Sequence, residues 1–309
     1  MTNLKKLGLT ALAGSLVATS AFAGSMSVSG TAKVSYTSGD TLTTTTNPWS
    51  ASNALSFSGG GELDNGMSVS VAIATDTGST AFSSSSLSLD MGDAGVFAVS
   101  KEKSSGHGYN AYQDKMPTAG EEVWDDMSGE ASGRVGMEDN GTISYGNSLA
   151  GANFSIAYNK DSSVDGSDKS VGIDYAPMDG LMIFGARADI SAGTNATDKH
   201  TTFGATYTTM GATIGMQRTS LGKNAVSSDQ DRTHIAASFA VNESLSVSYG
   251  MSTVEFEAAG KVDQEDSGFA ASYTMGSMSL SASSNKSDNA SGTSGNDDTH
   301  KEISLAFAF

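Results

Sequence analysis

Met26-Ser-Val-Ser-Gly-Thr-Ala-Lys-Val-Ser-Tyr36 decides the fold. Met26, Val28, Ala32, Val34 and Tyr36 alternate in it with Ser27, Ser29, Thr31, Lys33 and Ser35. A period of two puts one set on each face of a β-strand, and a helix has no use for it. The same rhythm returns along the chain. It runs through Met67, Val69, Val71 and Ile73, through Phe154, Ile156 and Tyr158, and through Val171, Ile173 and Tyr175. Phe203, Ala205 and Tyr207 carry it on, followed by Ile235, Ala237, Phe239 and Val241. Leu245, Val247, Tyr249 and Met251 repeat it, as do Phe269, Ala271, Tyr273 and Met275, then Ile303, Leu305, Phe307 and Phe309. One face is apolar and the other is Ser, Thr, Gly and charge.

Two kinds of connection take turns between these segments. Short ones carry the Gly, Asn and Asp that hairpin turns need for positive φ: 64–66, 91–95, 177–180, 210–211, 242–244 and 276–277. Long polar ones span roughly residues 37–50, 101–139, 161–168, 191–199, 220–230, 255–265 and 285–299. A plain rim facing an elaborate rim is the arrangement of an up-and-down antiparallel barrel, here with about sixteen strands. A soluble sandwich would bury larger Leu and Ile side chains between its sheets. The outward set here is modest in size, with Tyr and Phe near strand ends, which suits lipid and its interfaces. Closure then follows, since an open edge in lipid leaves backbone groups unpaired. The polar face lines water. No fixed repeat of solenoid length is visible.

Composition agrees and excludes much else. The chain has 309 residues, 38% apolar and 7% aromatic, with mean hydropathy −0.21. Past the N-terminus it has no run of about 18 apolar residues, so it is no helical membrane protein. A net charge of −17 and a pI near 4.4 argue against nucleic acid as a partner. With no cysteine there is no disulfide framework, thiolate nucleophile or Cys-held metal. Residues 1–23 read as a secretory signal: Lys5 and Lys6, an apolar Leu7–Ala18, then Ala21-Phe22-Ala23. Cleavage after Ala23 leaves a mature domain of 24–309.

Enzyme chemistry finds no foothold. Glu121-Glu122 and Asp125-Asp126 are adjacent carboxylates in a charge run, with no partner spacing for acid–base work. His107, His200, His234 and His300 stand singly, and no Gly-x-Ser-x-Gly elbow or phosphate loop is present. Asp125, Asp126 and Glu130 are candidate oxygen ligands for a structural calcium ion, without EF-hand-like spacing. No other cofactor is required.

The signal, the strand–loop rhythm, Asn140-Gly-Thr-Ile-Ser-Tyr-Gly-Asn-Ser-Leu-Ala-Gly-Ala-Asn-Phe-Ser-Ile-Ala-Tyr158 and Ile303-Ser-Leu-Ala-Phe-Ala-Phe309 resemble a Gram-negative general porin. The sixteen-stranded alphaproteobacterial type is the nearest. The resemblance implies a homotrimer of barrels in the outer membrane, among lipid and lipopolysaccharide, reached through the periplasm. It gives Phe309 the role of the C-terminal aromatic read by the barrel-assembly machinery. It also implies that the third long loop, 101–139, folds inward and narrows a channel for small hydrophilic solutes and ions. That loop carries Asp114, Glu121, Glu122, Asp125, Asp126 and Glu130, a density of carboxylates that favours cations. Tyr109, Tyr112, Val123, Trp124 and Met127 give it something to pack with. In such an eyelet wall basics face the loop carboxylates. Lys33, Arg187 and Arg232 are candidates by strand parity, although Leu181 and Ile183 leave the register of Arg187 open, and Arg134 sits at the loop's return. With few basic residues, cation preference is expected over a strong transverse field. Two other functions fit less well: a nutrient-selective porin with a stacking surface of Tyr109, Tyr112 and Trp124, and a secreted β-rich adhesin without a pore.

Overall fold

The computed structural model describes residues 26–40, 47–77, 83–101, 106–124, 127, 140–160, 166–192, 196–224 and 228–309. The signal segment 1–23 lies outside them, as do Asp125, Asp126, Glu130 and Arg134. Eight strands fill the first half: β1 Met26–Gly39, β2 Trp49–Glu62, β3 Ser68–Asp76, β4 Ser84–Asp90, β5 Val96–Lys101, β6 Asn140–Leu149, β7 Ala152–Asn159 and β8 Asp168–Met178. Eight more follow: β9 Leu181–Ser191, β10 Thr197–Thr209, β11 Ala212–Gly222, β12 Gln230–Ala240, β13 Leu245–Phe256, β14 Gln264–Met275, β15 Met278–Asp288 and β16 Asp298–Ala308. Each pairs antiparallel with its sequence neighbours, and β1 pairs with β16 to close the barrel.

The closing seam is tight. Gly30 N–H donates to the Phe309 carbonyl at 2.7 Å, and Phe309 N–H returns a bond to the Gly30 carbonyl at 2.9 Å. A Cβ on Gly30 would stand 2.6 Å from the Phe309 ring and 2.9 Å from Leu55, so the aromatic ring occupies the space that glycine leaves.

Alternation sets the two faces. Outward go Val34, Tyr36, Ile156, Val171, Phe203, Ile214, Ile235, Tyr249 and Ile303, all exposed. Their neighbours Ser35, Ser155, Ser170, Thr202, His234, Ser248 and Ser304 are buried. The convex face spreads side chains apart while the concave face crowds them, so the exposed apolar set is the outside and the polar set the inside. An apolar belt on the outside with a polar lumen is the reverse of a soluble protein.

The rims differ as the turn chemistry demands. Met210-Gly211 is a two-residue hairpin with φ of 48° and 80°, the positive pair that a type I′ turn requires. The long connections leave from the strand ends at the other rim. One of them, 77–83 between β3 and β4, has no counterpart in the sequence reading, because the Ser-rich stretch there hides both its own limits and the start of β4.

Candidate functional site

Residues 106–124, the main described part of the longest connection, lie against the inner wall. Strand by strand, their contacts fall on inward-alternating residues. Gly108 N–H donates to Ser155 Oγ on β7 at 2.8 Å, and Tyr109 N–H to Ser170 Oγ on β8 at 3.1 Å. Gln217 on β11 reads the loop backbone three times, accepting from Lys115 N–H and donating to the carbonyls of Tyr112 and Gln113. Ala119 N–H donates to Ser248 Oγ on β13 at 2.9 Å, and Asn285 on β15 donates to the Glu122 carbonyl at 3.1 Å. The loop backbone thus finds hydrogen-bond partners on the wall, which a segment laid inside a barrel needs.

Apolar packing fixes it further. Tyr109, Tyr112, Met116, Val123 and Trp124 form one cluster with Phe184, Ala186, Ala188 and Ile190 of β9 and Ala236 of β12. Tyr109 is fully buried, and its ring meets His200 edge-on at 6.0 Å. Trp124 covers His234 at 4.4 Å between ring centroids, and Tyr112 stacks on Phe184 at 6.2 Å. Gly172 on β8 has no side chain where the Tyr112 ring sits, and a Cβ there would collide with it. Burial pushes the Tyr109 hydroxyl pKa up. It does the same for Tyr112, whose bond to the Asp174 carboxylate adds to the rise. Burial lowers the pKa of His107 where the loop enters.

The expected anchors Tyr109, Tyr112, Val123 and Trp124 are all in place, while Met127 is half-buried. Met116, which the sequence reading did not single out, joins the same cluster. Because Tyr109 is fully buried and Trp124 nearly so, they pack the loop and leave no stacking surface for a solute.

The expected charges divide. Lys33 does face inward, 2.6 Å from Glu302 of β16 and 3.6 Å from Glu121 of the loop. Glu121 also accepts from Ser283 Oγ at 3.5 Å. Asp114 accepts from the N–H of Met116 at 3.3 Å and so shapes the loop's own turn. Arg232 faces inward, yet it is sealed at 2% exposure with Nη2 donating to Gln230 at 2.6 Å. It is a wall residue beneath the loop, away from water. Arg187 is a correction: it faces outward, about half exposed, and pairs with Asp189 at 3.3 Å. The inward residues of β9 are Phe184, Ala186, Ala188 and Ile190. Their apolar character, which suggests a lipid face, serves the docked loop instead.

Over the strands, the inward positions carry Glu62, Asp76, Asp90, Asp168, Asp174, Asp198, Asp266, Asp298 and Glu302 against Lys33 and Arg232. The lumen is therefore negative. Among the described residues no group of three His, Asp or Glu could hold a metal ion. The three candidate calcium ligands lie outside those residues.

No family model matches the sequence, and no curated protein matches it. Solved structures do match in fold. A porin refined at 1.8 Å superposes with a TM-score of 0.71 at 13% identity, covering 92% of this chain and all of that one. A triple mutant of Rhodopseudomonas blastica porin gives 0.66 at 15% identity with the same coverage. A structure from work on the asymmetric conductivity of engineered proteins gives 0.66 at 16%, again covering 92% of this chain and 100% of that chain. The likeness establishes a sixteen-stranded porin-type barrel.

Proposed function

We propose that the chain is an outer-membrane diffusion channel for small hydrophilic solutes and ions, with a preference for cations. The observation that carries this is the inner wall: a negative, polar lumen that segment 106–124 covers along β7–β15 and leaves open along β2–β4. On the open side Ser52, Ser56, Ser58 and Ser70 remain exposed. Water and solute pass there, and the loop sets the width. Carboxylates along the passage raise the local concentration of cations and repel anions. No nucleotide, redox group or catalytic residue enters this reading, and transport runs down a gradient. The outside belt of Val, Ile, Phe and Tyr supports residence in lipid, where Phe309 would serve assembly. Export by the N-terminal signal and assembly into a trimer belong to the same reading.

The test is planar-bilayer recording of the refolded mature chain across a salt gradient. Stepwise openings with a reversal potential toward cation selectivity are expected, and Glu121→Gln should lessen that selectivity. A folded, heat-modifiable barrel that conducts nothing would overturn the channel. A chain that remains soluble without detergent would favour the adhesin.

A further inference from the structure

Near the short-turn rim, between segment 106–124 and the wall of β5–β8, lies a cavity of 1110 Å³. Asp90, Lys115, Tyr112, Asn153, Ser148 and Asp174 are among the residues that line it. Among the described residues, two of these carry charges with no opposite charge beside them. Lys115 Nζ stands 5.5 Å from the centre of the Tyr112 ring, and among the described residues no carboxylate lies within ion-pair distance of it. Asp174 accepts from Tyr112 OH at 2.6 Å and from Asn153 Nδ2 at 2.8 Å, both neutral donors. Among the described residues the side chain of Lys115 finds no hydrogen-bond partner, and only its backbone N–H is used, on Gln217. One tyrosine thus fixes both groups: its hydroxyl holds the anion and its face carries the cation. The polarity is the reverse of the Lys33–Glu121 contact, where the wall is basic and the loop acidic.

We propose that Lys115 and Asp174 form a subsite for a small zwitterion, an amino acid whose ammonium and carboxylate are separated by a few carbons. The ammonium meets Asp174, where a carboxylate held by two neutral donors has no positive partner among the described residues. The carboxylate meets Lys115, and the carbon chain spans the open space of the cavity between the two charges. Asn153 and Ser148 hydrogen-bond to each other and keep the Asp174 end in place. Both charged groups are half-buried beside open water, so binding is weak and reversible, as a conducting path requires. The transport role of this subsite rests on the channel reading above, but its binding chemistry can be measured without conduction.

The experiment is a ligand-observed NMR titration of 4-aminobutyrate onto the full mature chain folded in detergent, with butyrate and butylammonium as single-charge controls. Saturable binding of 4-aminobutyrate is expected, with each control at least tenfold weaker. Lys115→Gln should weaken 4-aminobutyrate about tenfold while gel mobility still reports a folded barrel, since that side chain holds no structural bond. Equal binding of butylammonium would overturn the proposal by reducing the site to an acidic vestibule. So would binding that ignores Lys115→Gln. Bilayer recording separates the two readings: a barrel that binds but does not conduct loses the channel and keeps the subsite. One that conducts but shows no 4-aminobutyrate binding loses the subsite alone.

Discussion

Two sides of one lumen are made from the same strand geometry and put to different uses. From β8 to β15 the inner wall is covered. Ser170, Thr202, Gln217, Ser248 and Asn285 are buried there, and their polar atoms bond to loop backbone or to one another. On β2–β4, segment 106–124 makes no comparable cover among the described residues, and only His107 borders that wall. Its serines meet hydroxyl to hydroxyl across strands, as in Ser27–Ser58 at 2.7 Å and Ser70–Ser88 at 2.6 Å. A covered wall needs shape: holes for Tyr112 at Gly172 and an apolar bed for Tyr109 on β9. A bare wall needs only small, hydrated side chains that leave the passage open. Side-chain volume at the inward positions therefore records where the loop goes.

The largest effect should come from pulling the loop off its bed. Tyr109→Ala removes a fully buried ring and should cost about 3–5 kcal/mol of unfolding stability, as for other buried aromatic truncations. Single-channel conductance should rise as the loop loosens. If stability falls but conductance does not change, the covered wall is structural and the loop does not set the width.

A smaller effect follows from pH. Tyr109 and Tyr112 have hydroxyl pKa values raised by burial, so the docked loop favours their neutral forms. The stability this gives is complete below the ordinary tyrosine range near 10 and is lost as pH rises above it. Conductance should therefore increase between about pH 10 and 12, and Tyr112→Phe should reduce the Tyr112 share of that increase. A flat alkaline profile in the parent protein would mean that loop docking does not depend on these hydroxyls.

The smallest effect belongs to the bare wall. Ser70→Ala exchanges one exposed hydroxyl rung for water and should change stability by no more than about 0.5 kcal/mol. Denaturant unfolding beside Tyr109→Ala sets the two walls on one scale. A Ser70 cost near that of Tyr109 would erase the distinction between them.

The barrel was legible because its outside takes an apolar residue at every second position, and that pattern is written strongly in β1, β8, β13 and β16. The turns were legible because positive φ restricts the residue types allowed. Where serine occupies both faces, as in Ser83-Ser-Ser-Ser86, alternation carries no signal, and the loop at 77–83 and the start of β4 went unread. β9 misled for a different reason. Its inward residues are apolar to receive the loop, so a rule that takes apolar residues to face lipid turns Arg187 the wrong way. Read in reverse, a strand with apolar residues on both faces marks the bed of a docked segment. The inward face of Lys33 was legible from parity, and Glu121 drew notice by density of charge, but their contact was not legible. Lys115 and Asp174 went unread, because their relation exists only through Tyr112.

The Gly30–Phe309 seam has a consequence for how such a molecule comes into being. Every other strand pair joins neighbours in sequence and could form as the chain emerges. The seam alone joins the two most distant strands, and without it β1 and β16 both present unpaired edges. In hydrocarbon such edges are intolerable, so no partial barrel is a stable resident of the membrane. On the proposed outer-membrane reading assembly is accordingly all or none, and a chain that loses β16 is expected not to survive as a smaller pore.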